Sequence, residues 1–105
     1  MKKTYKKLVR DRIPEIIEAN GSTCTVEILS DEAYLQMLDQ KLTEELAEYH
    51  ADGSPEELAD LLEVIYAAAA ARGYTIGELE AVRAEKAEKR GGFARKILLI
   101  DTVKE

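Results

Sequence analysis

The sequence predicts a mainly α-helical domain with a small two-stranded β element at about 23–29 and 93–100. Three observations lead there. Apolar residues recur at helical spacing over long stretches, helix-starting and helix-stopping residues sit between those stretches, and only two short segments carry strand-like patterning. The 105 residues are read as one domain, 1–105, long enough for a core but not a deep one.

The elements follow in chain order. Leu8–Arg12 leads into Pro14, which suits a first helical position, and Pro14–Asn20 reads as a short helix stopped by Gly21. Thr23–Leu29 alternates and is rich in β-branched residues, so it is the first expected strand. Ser30, followed by Asp31 and Glu32, caps a long helix to about Ala51, with Leu35, Leu38, Leu42, Leu46 and Tyr49 as its apolar stripe. Asp52-Gly53 turns the chain. Ser54-Pro55-Glu56-Glu57 starts another helix, with a cap, a first-position proline and a third-position glutamate, running to about Arg72. Its expected buried face is Leu58, Leu61, Leu62, Ile65 and Ala68, and Ala67–Ala71 permits close helix approach. Gly73 ends it, Thr75-x-x-Glu78 forms a capping box for a last helix to about Arg90, and Gly91-Gly92 breaks that helix. Phe93–Ile100 is the second expected strand, placed to pair with the first.

Composition narrows the class. Hydrophobic residues make up 46% and charged residues 34%, as in soluble globular proteins. A single cysteine, Cys24, forms no internal disulfide and suits a reducing cytosol. No apolar run spans a membrane and no signal-peptide stretch follows the basic start, so cytoplasmic residence without membrane association is expected. The net charge of −6 is unevenly laid out. Six basic residues crowd 1–12, 12 acids against Lys41 occupy 27–63, and six basic residues return over 83–96. An acidic strip flanked by basic ones is suited to holding a metal and an anion together. The acidic centre, with no recognition motif, argues against nucleic-acid binding.

Between Lys41 and Arg72 there is no lysine or arginine, yet Glu44, Glu45, Glu48, Glu56, Glu57, Asp60 and Glu63 fall within 20 residues. Glu45-x-x-Glu48 and Glu57-x-x-Asp60 share one spacing, which on a helix puts each pair on one face. At about 100° per residue, Glu45, Glu48, Glu57 and Asp60 flank the apolar stripes, Glu44 lies outermost, and Glu56 and Glu63 point to water. Carboxylates beside a core without counter-charge cost several kcal/mol unless protonated or bound to a cation. Oxygen-only ligands suit Mg²⁺ or Mn²⁺, and one histidine, His50, with a distant Cys24 argues against zinc. Solvated acid pairs are the plainer alternative, and Glu57 has a plain role as the third residue of a capping box. Two roles stay open for Lys41, one turn before Glu45: an ion pair along the helix or a contact to metal-held phosphate. Arg83, Lys86 and Arg90 share one face of the last helix and, with Arg10 and Arg12, are candidate phosphate contacts.

At these residues the chain resembles the MazG-like, all-alpha NTP pyrophosphohydrolase superfamily. The resemblance is carried by Glu44-Glu45-Leu46-Ala47-Glu48 followed by Glu57-Leu58-Ala59-Asp60, an E-E-x-x-E and E-x-x-D pair. The opening Lys7-Leu8-Val9-Arg10-Asp11-Arg12-Ile13-Pro14-Glu15-Ile16-Ile17 and the closing Lys89-Arg90-Gly91-Gly92-Phe93 are similar to a short branch of house-cleaning nucleotide pyrophosphatases. The eight residues between Glu48 and Glu57 are fewer than in many members, which trims the expected substrate pocket.

The resemblance implies a MazG-like helical bundle that hydrolyses the α–β phosphoanhydride of a nucleoside triphosphate to monophosphate and pyrophosphate. It implies Mg²⁺ (or Mn²⁺) on Glu45, Glu48, Glu57 and Asp60, with Glu44 or a ligand's free oxygen accepting the water's proton. Lys41, Lys86 and Arg90 would stabilise the leaving pyrophosphate, and a homodimer or homotetramer is expected. Phosphoribosyl-ATP pyrophosphohydrolase of histidine biosynthesis is the alternative with the same chemistry. A non-catalytic helical interaction or regulatory module is the alternative of another class.

Overall fold

A computed structural model describes residues 2–104, so the two end residues of the expected 1–105 domain lie outside the described residues. It contains four helices: α1 (Ile13–Ala19), α2 (Asp31–Asp52), α3 (Pro55–Ala71) and α4 (Ile76–Arg90). Among the described residues no helix is long and apolar enough to cross a membrane.

Local chemistry sets the helix ends. Ser30 Oγ accepts from the Ala33 N–H at 3.2 Å to start α2. Gly53, at φ 69°, closes it in the left-handed conformation that glycine adopts without Cβ strain. The next residue, Ser54, already caps α3 through the Glu57 N–H, so two long helices are joined by two residues and run antiparallel. Thr75 and Glu78 form a complete capping box on α4, each accepting from the other's backbone N–H.

The hairpin of α2 and α3 is the packed centre of the molecule, with α4 resting more lightly on α3. Leu38 on α2 and Val64 on α3 are its buried apolar residues. Along α3 the shielded positions include Glu57, Leu61, Val64, Ala68 and Ala71, alternating four and three apart as in a two-helix seam. The matching run on α2 is Tyr34, Leu38, Lys41, Glu45 and Tyr49. Two expectations are corrected here. Leu58, Leu62 and Ile65 are exposed and Val64 takes the buried place, while Leu46 is exposed and Glu45 lies on the seam. The reason is that α3 is apolar around most of its girth, so hydropathy alone does not select the side that meets α2.

The expected β element is absent among the described residues: neither 23–29 nor 93–100 forms a strand. Val26 and Ile28 are exposed, Ile28 at 92%. The second segment is interrupted by a turn in which the Lys96 N–H donates to Phe93 O at 3.1 Å, with Lys96 at φ 61°. A strand needs a partner for its backbone groups, and β patterning records compatibility with a sheet rather than its presence. The earlier segment passes beside α1 instead, where Cys24 Sγ lies 4.0 Å from Pro14 O.

Candidate metal centre

The hairpin turn sets the site. Glu45 lies seven residues before the end of α2, and Glu57 and Asp60 lie two and five residues after the start of α3. At about 1.5 Å rise per residue they stand roughly 10, 3 and 7 Å above the turn, a spread that glutamate side chains reaching along the seam can bridge. Their carboxylate oxygens converge, with one oxygen from each of Glu45, Glu57 and Asp60 lying within 4.8 Å of the others. Glu45 is buried, at 8% exposure, and the other two are half-buried.

Glu48, the fourth expected ligand, is exposed and outside this trio. The seam passes from Glu45 to Tyr49 and leaves Glu48 on the rim, although its charge is still felt at Glu57.

The local chain frees Glu57 for this arrangement. Its N–H donates to Ser54 Oγ at 3.4 Å, but among the described residues no return bond joins its carboxylate to the Ser54 N–H. The cap on α3 is therefore half a box, in contrast with the complete one on α4. Burial raises the Glu57 carboxyl above its ordinary value, and the negative charges of Glu48, Asp60, Asp52 and Glu45 add to the rise.

Counter-charge reaches the other acids from outside the lysine-free stretch, which corrects the expectation that they lack it. Lys41 Nζ lies 3.2 Å from Glu45 Oε1 and 3.4 Å from Glu44 Oε1. Lys7 Nζ, in the segment ahead of α1, lies 3.5 Å from Glu44. Arg10 donates to Asp60 Oδ1 at 2.6 Å. Among the described residues no cationic side chain pairs with Glu57. Of the three converging carboxylates it alone has no such partner.

The remaining candidate phosphate contacts are elsewhere. Arg12 turns to Glu15 at 3.0 Å, and Arg83 forms a two-nitrogen contact with Glu80 at 2.6 and 2.9 Å. Lys86 and Arg90 are exposed on α4 and make no ion pair with the trio. Lys7 is the neighbour that helical phase missed. Its signal was the basic run over residues 1–12, which periodicity does not map onto a later helix.

The donor set is all oxygen, which suits a hard cation. Mg²⁺ takes oxygens at about 2.0–2.1 Å in octahedral array, so its ligand atoms stand roughly 3–4 Å apart. A spread of up to 4.8 Å on two flexible glutamates and an aspartate needs only small side-chain adjustment to meet that. The residues fit such an ion, with open positions left for water or phosphate oxygens.

Comparison with known proteins adds one partial likeness. A protein of Mycolicibacterium smegmatis (strain ATCC 700084 / mc(2)155), described as an uncharacterized protein, is 57% identical over 44 residues. The matched stretch is 42% of this chain and 45% of that relative. No family model matches the chain, and no solved structure matches it.

Proposed function

We propose that this chain is a Mg²⁺-dependent nucleotide pyrophosphohydrolase of the MazG-like kind, splitting the α–β phosphoanhydride of a nucleoside triphosphate into monophosphate and pyrophosphate. The observation that carries the reading is the convergence of Glu45, Glu57 and Asp60 across a two-residue hairpin turn, with Lys41 and Arg10 at its edge. Glu45, Glu57 and Asp60 hold the ion, and Glu48 offers a further oxygen at the rim. When bound, the ion neutralises the triphosphate and lowers the pKa of an attacking water.

The side chains supply the rest. Glu57 has no cationic partner among the described residues and gains most from a bound ion. Arg10 sits on Asp60 and is placed to pass its guanidinium to a phosphate oxygen, for which a planar donor fork is suited. Lys41 holds Glu45 in place and adds positive charge beside the leaving group. Glu44, between Lys7 and Lys41, or a free oxygen of Glu57, takes the proton from water. The protein works as a homodimer or homotetramer.

A second reading draws on the same ion pairs. Because Lys41, Lys7 and Arg10 already offset Glu44, Glu45 and Asp60, a metal-free helical interaction module would also be electrostatically tolerable. Incubation with a panel of nucleoside triphosphates and phosphoribosyl-ATP, with and without Mg²⁺, separates the readings. Pyrophosphate release that requires Mg²⁺ is expected, whereas absence of turnover on every substrate leaves the interaction module.

A further inference from the structure

The single chain is too open for its size. Its accessible surface is 9651 Å², whereas a compact monomer of 11.7 kDa exposes about 5,900 Å². Its radius of gyration is 18.6 Å, against about 13 Å for a compact domain of this length. The excess is roughly 3,800 Å² per chain, about 7,600 Å² for two copies, so a pair has more than enough open surface for the roughly 2,000–5,000 Å² in total that obligate dimers bury.

Two apolar surfaces contribute to that openness. One is a groove of about 230 Å³ between α3 and α4, walled by Leu62, Ile65 and Tyr66 on one side and Ile76 and Leu79 on the other. Leu62, Ile65 and Ile76 remain exposed there. The other surface is the run Ile97-Leu98-Leu99-Ile100, in which each residue is 73–80% exposed. Among the described residues, none after Ala87 is even half-buried, so this run has no packing partner in its own chain.

We infer that the α3–α4 groove receives the 97–100 segment of a second copy of this chain, and that the exchange is reciprocal. Four large aliphatic side chains match a mostly apolar groove whose charged lining residues, Glu80 and Arg83, are paired with each other, and each copy offers one of each. Within one chain both surfaces stay open. A twofold exchange covers both at once, and its interface is isologous and closed. Burying such side chains is worth about 1.5–3 kcal/mol each, enough to offset the ordering of a short segment. The inference shares with the proposed function only the expectation of a homo-oligomer, and it does not involve the carboxylate trio.

Light scattering on the size-fractionated 105-residue chain tests it without reading activity. The wild-type chain should have twice the mass of one copy. The tail double variant Leu98→Glu/Ile100→Glu should fall to half that mass and keep the wild-type helical circular dichroism, since the tail lies outside the hairpin. Ile65→Glu in the groove should also be monomeric. Mixing the groove and tail variants should restore dimer, because one intact groove then meets one intact tail. A monomeric wild type, or a dimer that survives the tail double variant, overturns the inference.

Discussion

Arg10, in the segment ahead of α1, donates a 2.6 Å hydrogen bond to Asp60 in the second turn of α3, joining residues 50 apart in sequence. Both side chains are about half exposed, so as a structural tie the pair is worth no more than about 1 kcal/mol. Its interest is positional, since it sets a guanidinium against a carboxylate that also faces Glu45 and Glu57.

Arg10→Ala should therefore separate stability from function. Urea denaturation should show a loss of about 1 kcal/mol or less. Under the proposed activity, losing one charge-assisted bond to phosphate, about 1.5–3 kcal/mol, should lower kcat/KM roughly 10- to 100-fold. A large stability loss with unchanged kcat/KM would make Arg10 a structural residue.

Lys41→Met should cost stability as well as activity. Lys41 and Glu45 are both mostly shielded, and the substitution strands a buried carboxylate on the seam. The expected cost is on the order of 1–3 kcal/mol at neutral pH, read from urea midpoints. Lys41→Met/Glu45→Met should recover part of it, because no charge is then left unpaired.

Glu57 makes the pH dependence specific. Its folded-state carboxyl is raised, so the folded chain binds that proton more tightly than the unfolded chain does. The resulting stabilisation is present below the unfolded carboxyl pKa and is lost as pH rises through the raised one. Glu57→Gln should thus raise Tm at neutral pH and leave it unchanged in acid. Added Mg²⁺ should raise the wild-type Tm at neutral pH and leave that of Glu57→Gln nearly unchanged.

The seam itself can be tested by comparing two substitutions on α3. Val64→Ala should cost about 1–3 kcal/mol, as expected for a buried aliphatic truncation. Leu58→Ala, at an exposed position, should cost about 0.5 kcal/mol or less. Equal costs would restore the expectation that Leu58 belongs to the buried face.

What was legible in the sequence was local. Ser30, Gly53, Ser54-Pro55 and the Thr75–Glu78 box fix helix ends through bonds a few residues long, and the observed ends lie within a residue or two of those expected. The same short hairpin made the convergence of Glu45, Glu57 and Asp60 readable, since helical phase and a tight turn suffice to bring them together. Glu48 lies on the exposed rim rather than beside the seam because phase sets an angle on one helix, not which angle its neighbour covers. Arg10 and Lys7 were brought to the acids by tertiary packing that no spacing encodes. The strands failed for a related reason: 23–29 and 93–100 carry the pattern of a sheet, but pairing is a property of two segments at once.

The central claim is that Glu45, Glu57 and Asp60 form one divalent-cation site. Mn²⁺ titration followed by electron paramagnetic resonance counts bound ions directly, with wild type compared against Glu45→Gln and Asp60→Asn. Saturable binding to the wild type, weakened on the order of 100-fold or more in both variants, is the expected result. Undiminished binding in both variants, or no saturable binding to the wild type, would contradict it.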